Sequence, residues 1–458
     1  MAGLAEPQAA KAQAAASVPS RGRPCLMPPL AAAVAARVPL FYGWVIVAVG
    51  ALAGAATMGI VQIFSVFLPS LQHDLGASRA TLSLAFSVNM LVFGVSSILG
   101  GALADRLGTR RLAAAGGILF GLGMILAAPS RGVWQLILAL GAVAGLGMGA
   151  LQGPLQYLTA RWFDRRKGLA LGILLAGAGI GTLVASPLAE ALIRWHGWRA
   201  TFVIIGLIAA AAILITCPLL VENPAAYGLR PDGAPSAGAE EGATPAHSPW
   251  TNATAMRTPA FWTLLGTWYC CCASHSGPLV HAAAHAMDVG VSAPWAAGML
   301  SAFGASAFAS RIGLGVLADR IGGRATLIGA LAGQTFLTAA LGGLRTPWVL
   351  AAWAVLFGLA YGGVFAQYPV ILREYFGATR VGAVYGTAMF VNAVGMASGP
   401  YLAGLVHDFT GTYQVPFWLS GGLGAAATFL AISLARPAPP APAGNLSTRR
   451  YRAERATT

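Results

Sequence analysis

Arg311 is the residue whose type and position most directly predict chemistry. It stands in an apolar stretch, eight residues before Asp319, which is roughly 12 Å along a helix. A guanidinium inside a membrane helix costs at least about 2.5 kcal/mol unless it faces the bundle interior or a wet cavity. Because its planar donor fork matches a carboxylate, we predict that Arg311 neutralises one. The alternative is a side chain that snorkels to the membrane surface.

Two histidines, His281 and His275, lie in one predicted apolar helix. Their unperturbed pKa values are near physiological pH, so either one could relay a proton or donate to a carboxylate. For His281 a purely structural hydrogen bond is an equal alternative. His281 and His285 have the spacing of two metal ligands, but no cysteine or carboxylate completes a set. We therefore predict neither a metal nor a cofactor.

Uncharged polar side chains inside otherwise apolar helices form a third group of candidates. They are Gln62, Asn89, Gln152, Gln156, Tyr157, Tyr269, Tyr361, Gln367, Tyr385 and Asn392. Unpaired polar groups are costly in hydrocarbon, so most of them should face each other or a wet cavity. We expect Gln62, Tyr361, Tyr385 and Asn392 to contact a substrate before the others. Helix packing is the alternative for each.

The composition sets the class of protein. Of 458 residues, 57% are hydrophobic and 9% are charged, against roughly 25% charged in a soluble domain. This excludes a soluble enzyme. The net charge of +14 comes from scattered bases rather than a basic stripe, which makes nucleic acid an improbable partner. The five cysteines, three of them adjacent at 270–272, form no disulfide or metal pattern and read as small apolar residues.

Apolar segments recur at membrane-spanning length and predict an all-α membrane protein of twelve transmembrane helices. The predicted segments are 41–68, 81–104, 112–129, 133–158, 169–193, 199–220, 260–286, 294–317, 325–344, 347–371, 382–406 and 415–435.

The helices divide into two halves of six. We predict an N-terminal half at 41–220, a linker at 221–258 and a C-terminal half at 259–435. Residues 1–40 and 436–458 have the composition of disordered tails.

Positive charge sets the orientation. Of the 28 Lys and Arg residues, 22 fall in the tails and in one set of alternate loops, five fall in the other set, and Arg311 remains inside a helix. Because positive loops stay on the cytoplasmic side, we predict a multi-pass protein of the cytoplasmic membrane with both termini cytoplasmic.

The two halves repeat each other. Residues 103–108, LADRLG, return as 317–322, LADRIG, at an offset of 214. Residues 162–163, WF, return as 375–376, YF, at an offset of 213. Such a repeat predicts a parallel duplication with a substrate site between the halves, near the middle of the membrane.

Residues 101–111, GALADRLGTRR, resemble the signature loop between helices 2 and 3 of the major facilitator superfamily. More closely, the chain resembles the monocarboxylate porter branch, which includes bacterial relatives and oxalate:formate antiporters. The matching segments are 42–44 (YGW), 161–172 (RWFDRRKGLALG), 197–199 (GWR), 281–290, Arg311, 375–377 (YFG), 382–386 (GAVYG) and 399–400 (GP). Only the tails and the central linker fall outside the resemblance.

The resemblance implies secondary transport of small carboxylates by alternating access, with a proton or in exchange for another anion. It places a substrate-binding arginine at Arg311 and a histidine typical of bacterial relatives at His281. It also implies a gating latch at the ends of helices 2 and 8, formed by Asp105, Arg106, Asp319 and Arg320.

Three positions depart from the family pattern. Animal members carry a lysine where this chain has Gln62 and an aspartate where it has Ala307. The lysine of the oxalate antiporters falls at Val391. With one buried cation instead of two, a monoanion is the better electrostatic match.

We therefore predict a non-enzymatic transporter, monomeric in the lipid bilayer, that moves a small monocarboxylate such as lactate or pyruvate. Its other partner would be a proton if transport is proton-coupled. The alternative is an exporter or a carrier of another small organic solute with the same fold.

Overall fold

The computed structural model describes residues 41–163, 166–222, 250–376 and 382–438, with a few isolated positions outside these ranges. Most of the predicted linker and most of both predicted tails lie outside the described residues. Within the predicted linker, Asn252–Met256 form a short helix that the Thr251 side chain caps.

Six helices occupy the first half of the described chain. They are α1 (Gly43–Gly54, Ala55–Gly59 in π-helical form, Ile60–Gln62 and Phe64–Leu75), α2 (Arg79–Leu107), α3 (Thr109–Ala127), α4 (Val133–Leu136, the π-helical Ile137–Val143 and Ala144–Trp162), and α5 and α6, which share Lys167–Thr216. Gly197, with φ of 76°, breaks this 50-residue run and separates α5 from α6.

Six more helices follow the short capped helix. They are α7 (Pro259–Asp288), α8 (Ala293–Ile321), α9 (Gly323–Leu341), α10 (Pro347–Tyr361 and Val364–Phe376), α11 (Gly382–Thr410) and α12 (Gln414–Ser433). The side chain of Thr258 caps α7, and Pro259 opens its first turn, where no hydrogen-bonded N–H is needed.

The described helices have membrane-spanning character. Nine of them are long and apolar enough to cross a bilayer, and the longest contains the break at Gly197 and so holds two spans. With α7 and α9, of 30 and 19 residues, this gives the predicted set of twelve. Large apolar side chains such as Ile215, Phe336 and Phe429 are at least 70% exposed on outer surfaces, where lipid would cover them. The prediction of an all-α, multi-pass membrane protein is confirmed.

The internal repeat is visible in the helix lengths. Helices α2 and α8 both have 29 residues, and α3 and α9 both have 19. Between them lie Gly108 and Gly322, with φ of 85° and 87°, a backbone conformation that glycine adopts without strain. Each donates its N–H to the alanine four residues earlier, at 2.9 Å. The repeated LADR(L/I)G motif therefore encodes the same helix end and turn twice.

Contacts between the halves run along two helix pairs, α5 with α8 and α2 with α11. On the first pair, Ser186 donates a hydrogen bond to the Ala297 carbonyl at 2.8 Å. The two pairs flank the space in which the candidate site lies. We name the two ends of the bundle by their loops: the Arg-rich face carries the α2–α3, α4–α5, α6–α7, α8–α9 and α10–α11 connections, and the Arg-poor face carries the α1–α2, α3–α4, α5–α6, α7–α8, α9–α10 and α11–α12 connections.

Gly304 allows α5 and α8 to approach closely. A methyl group at Gly304 would lie 2.6 Å from the Gly179 carbonyl oxygen, whereas one at Gly298 in the same helix would meet no atom within 4 Å. We expect Gly304→Ala to lower the free energy of unfolding by about 1–3 kcal/mol through overpacking, and Gly298→Ala to leave it unchanged or raise it. Thermal unfolding in detergent measures both, and equal effects of the two variants would contradict this account of the helix pair.

Candidate functional site

A cavity of about 120 Å³ lies inside the bundle, with walls from α1, α2, α4, α5, α7, α8, α10 and α11. Four of the predicted substrate-binding residues line it together: Arg311, Gln62, Tyr361 and Asn392. Most of the remaining wall is apolar, with Trp268, Phe93 and several methionines. The cavity is therefore an apolar pocket with a few converging polar groups, as is typical of small-molecule sites.

The Arg311 guanidinium is held by backbone oxygens. Nε donates to the Gly362 carbonyl of the α10 break at 3.2 Å, and Nη1 donates to the Leu175 carbonyl of α5 at 2.7 Å. These bonds use two of its five N–H donors. No Asp or Glu is among the described residues that line the cavity. Arg311 therefore brings a positive charge and spare donors to a site without a carboxylate of its own.

Gln62 and Tyr361 form a polar bridge between the halves. Gln62 Nε2 donates to the Tyr361 hydroxyl at 3.3 Å, and Gln62 Oε1 accepts from the Thr182 hydroxyl at 2.8 Å. Since the Tyr361 oxygen accepts in this bond, its own proton can be donated into the cavity. The bridge joins α1, α5 and α10, so substrate bound there would contact both halves.

Asn392 contacts a cysteine on α7. The Cys272 thiol donates to Asn392 Oδ1 at 3.0 Å, which leaves the Asn392 amide hydrogens for the cavity. Cys271 and Cys272 both line the cavity, a placement that sequence reasoning missed when it treated the cysteines as small apolar residues. The available signal for one shared helix face was the i, i+3, i+4, i+7 spacing of Trp268, Cys271, Cys272 and His275 on α7.

His281 lies outside the cavity lining, in a buried network between the halves. Its Nε2 lies 3.0 Å from the Pro400 carbonyl and 3.2 Å from the Ser83 hydroxyl, and its Nδ1 lies 2.9 Å from the Tyr413 hydroxyl. Donation from Nε2 to Pro400 fixes the neutral tautomer in which Nδ1 accepts from Tyr413. The structure thus gives His281 a hydrogen-bonded place and keeps it apart from Arg311.

Of the other candidates, Gln152, Gln156 and His275 also line the cavity, whereas its described lining does not include Asn89, Tyr157, Tyr269 or Gln367. The side chains of Tyr385 and Asp105 lie outside the described residues. Arg106, Asp319 and Arg320 are exposed at the Arg-rich face, and the described ion pairs include none of them. Their role as a latch stays a prediction.

A different set of charges closes the Arg-poor face. Arg79 Nη1 and Nη2 donate to the two carboxylate oxygens of Asp288 at 2.6 and 2.7 Å. Asp408 accepts from the backbone N–H groups of Arg79 and Ala80, at 3.2 and 2.9 Å, where the α2 dipole favours an anion. We call Arg79, Asp288 and Asp408 the Arg79 lock; it joins α2 of the first half to α7 and α11 of the second.

The helices pack more loosely at the Arg-rich end of α5 than at the Arg-poor end of α11. A methyl group at Gly172, which lines the cavity near the Arg-rich end of α5, would meet no atom within 4 Å, and the same holds for Gly168. At the Arg-poor end, in contrast, a methyl group on Gly404 would lie 2.7 Å from the Ala80 nitrogen. The two halves are therefore in close contact at the Arg-poor face, where the Arg79 lock joins them.

Asp74 forms an ion pair at the Arg-poor face within the first half. It accepts from Trp198 Nε1 at 2.9 Å and from Arg199 Nη1 at 2.8 Å. The hydrogen bond from Trp198, followed by those from His73 and Arg199, lowers the pKa of this carboxyl to about 2.

Because the folded-state pKa of Asp74 is depressed, its contribution to stability is present above the unfolded pKa, near 3.8, and is lost as the pH falls toward 2. We expect the difference in unfolding midpoint between wild type and Asp74→Asn to be constant above about pH 4 and to shrink below it. Unfolding curves of both proteins from pH 7 to pH 2.5 measure this; a difference that stays constant over the whole range would contradict it.

A bundle of membrane-spanning helices in two repeated halves, with a cavity between them that holds a buried arginine, is the arrangement of a membrane transporter. Comparison with known proteins identifies the family. Residues 47–347 and 299–457 match the family model described as Major Facilitator Superfamily. The chain belongs to this superfamily, and it is a transporter rather than an enzyme.

Several monocarboxylate transporters are similar to this chain. Monocarboxylate transporter 13 of Bos taurus is 28% identical over 403 residues, which cover 86% of this chain and 89% of that protein. Monocarboxylate transporter 12-B of Danio rerio is 27% identical over 405 residues, covering 83% and 84%. Monocarboxylate transporter 3 of Rattus norvegicus is 28% identical over 433 residues, covering 90% and 86%. The predicted resemblance to the monocarboxylate porter branch is confirmed.

Proposed function

We propose that the protein carries a small monocarboxylate, such as lactate or pyruvate, across the cytoplasmic membrane by alternating access. The observation that carries this proposal is the Arg311 guanidinium in a cavity whose described lining holds no acidic residue. A charged group in a low-dielectric site is costly unless a counter-charge accompanies it. A substrate carboxylate supplies that counter-charge each time it binds.

The charge of the site selects the class of substrate. One cation balances one carboxylate, so a dicarboxylate would bring a second negative charge without a partner, and a cationic substrate would be repelled. The donors of Tyr361 and Asn392 would orient the body of the substrate. The names of the similar proteins support the same class.

The Arg79 lock supports an alternating-access cycle. While the Arg79 lock holds the Arg-poor face closed, substrate would exchange with the Arg-rich face, which we propose is cytoplasmic because it carries most of the positive charge. For the cavity to open on the other side, Arg79 must leave Asp288, and the α2 N-terminus must leave Asp408. We propose that Asp105, Arg106, Asp319 and Arg320 then close the Arg-rich face.

Substrate transport would be coupled either to the movement of a proton or to the exchange of a second carboxylate. The departures at Gln62 and Ala307 remove the lysine and aspartate that the family resemblance would assign to proton transfer. For a proton-coupled cycle we propose His281, because its buried network joins α2, α7 and α11 and must change when the halves move apart.

Ligand-induced stabilisation tests the substrate class. A ligand at 100 times its Kd raises the free energy of unfolding by about 2.7 kcal/mol. We expect lactate, pyruvate or propionate to raise the unfolding temperature of the purified protein more than succinate or malonate, and Arg311→Gln to abolish the shift. A larger shift with dicarboxylates, or an unchanged shift in Arg311→Gln, would contradict the proposal.

A further inference from the structure

His275 lies on the cavity face of α7, close to the segment of α10 that Arg311 contacts. Its ring packs edge-on against Tyr361 with centroids 4.9 Å apart, and Arg311 Nε binds the carbonyl of the next residue, Gly362. His275 and Arg311 both line the cavity. Tyr361 thus has the imidazole on one side and the guanidinium near its own backbone, so one small molecule can reach both.

Gln334 of α9 sets the tautomer of His275. Gln334 Nε2 donates to His275 Nδ1 at 3.2 Å, and the Cys271 sulfur lies 3.7 Å from the same nitrogen. Because Nδ1 accepts, the neutral ring carries its proton on Nε2. Gln334 is 1% exposed, and its Oε1 has no partner among the described residues.

The Nε2–H group of His275 needs an acceptor. The side chain is 5% exposed, and the described hydrogen bonds of this ring all go to Nδ1. A ligand that displaces water from this donor must supply an acceptor or leave it unpaired, so the site favours a ligand that has one. With Nδ1 accepting from Gln334, the ring offers a single N–H group, which suits an uncharged oxygen better than a second carboxylate.

We propose that His275 is a specificity-determining residue that donates Nε2–H to the 2-oxo or 2-hydroxy oxygen of a carboxylate bound at Arg311, with Gln334 as the positioning residue that holds the tautomer. This rests on the proposed function and adds a rule for choosing among monocarboxylates. A 2-oxygenated acid satisfies both Arg311 and His275, whereas an unsubstituted acid of the same length leaves Nε2–H unpaired.

Uptake into proteoliposomes of lactate, pyruvate and propionate, three acids of equal chain length, tests the proposal. We expect the wild type to take up lactate and pyruvate with roughly tenfold higher kcat/KM than propionate. In His275→Phe the ratio should fall to near one. Gln334→Leu should lower the ratio partway, since the ring keeps its place and loses its fixed tautomer.

His196→Phe makes the same replacement at an exposed histidine and should keep the wild-type ratio. If His275→Phe is not recovered folded, His275→Asn replaces it. Equal wild-type uptake of the three acids, or an unchanged ratio in the folded His275 variant, overturns the inference and leaves the proposed function standing. Failure of the wild type to take up any of the three would instead overturn the proposed function.

Discussion

Arg311→Ala is expected to lower carboxylate uptake by at least about 100-fold. The substitution removes the positive charge from the described cavity lining, and truncating one partner of a buried charge pair costs about 2–5 kcal/mol. Arg311→Lys keeps the charge, but lysine lacks the planar guanidinium that can bind the Gly362 and Leu175 carbonyls and a carboxylate at once. We therefore expect uptake to fall roughly tenfold or more. Initial rates of labelled lactate uptake in proteoliposomes, normalised to inserted protein, measure both.

The matched control is Arg131→Ala, which removes an exposed arginine whose described hydrogen bond uses only its backbone N–H. It should transport as the wild type does. Wild-type transport by Arg311→Ala, with its unfolding temperature unchanged, would remove Arg311 from the site and with it the basis for a carboxylate substrate.

Asp288→Asn is expected to open the Arg-poor face. It replaces the charged partner in two hydrogen bonds to Arg79, which is only 7% exposed. Because the Asp288 side chain is 37% exposed, solvent screens the pair, and we expect a loss of about 1.5 kcal/mol from the closed state. That corresponds to roughly tenfold more of the state open to the Arg-poor face.

Cys271 and Cys272 provide native reporters for this change because both line the cavity. A membrane-impermeant thiol reagent applied from the Arg-poor side should modify them roughly ten times faster in Asp288→Asn than in the wild type, as measured by peptide mass spectrometry. Asp74→Asn is the matched control: it breaks the ion pair to Arg199 at the same face, but within one half. Equal labelling rates in wild type and Asp288→Asn would show that the Arg79 lock does not hold the face closed.

The architecture followed from local signals in the sequence. Membrane-length apolar segments predict the helices, and the repeated LADRLG and LADRIG motifs predict two copies of one helix end, which Gly108 and Gly322 form with nearly the same φ. Arg311 could be placed inside the bundle because a lone guanidinium has few stable positions in a membrane helix.

The pairing of side chains across the bundle could not be predicted from the sequence. His275 and His281 are six residues apart on α7, so they point in directions about 120° apart, and periodicity cannot say which direction faces the cavity. The choice depends on Gln334 and Tyr361, which lie far away in the sequence. The Arg79 lock was missed for the same reason: Arg79 and Asp288 are 209 positions apart, and each alone resembles a loop charge.

Uptake of labelled monocarboxylates and dicarboxylates into proteoliposomes, with and without an inward proton gradient, distinguishes a monocarboxylate transporter from a carrier of another solute. We expect saturable uptake of lactate or pyruvate, with little uptake of succinate or malonate under the same conditions. If the gradient drives accumulation above the external concentration, transport is proton symport; if only internal carboxylate stimulates uptake, transport is exchange. No carboxylate uptake under any of these conditions, or a preference for dicarboxylates, would contradict the account and leave a major facilitator transporter of another solute.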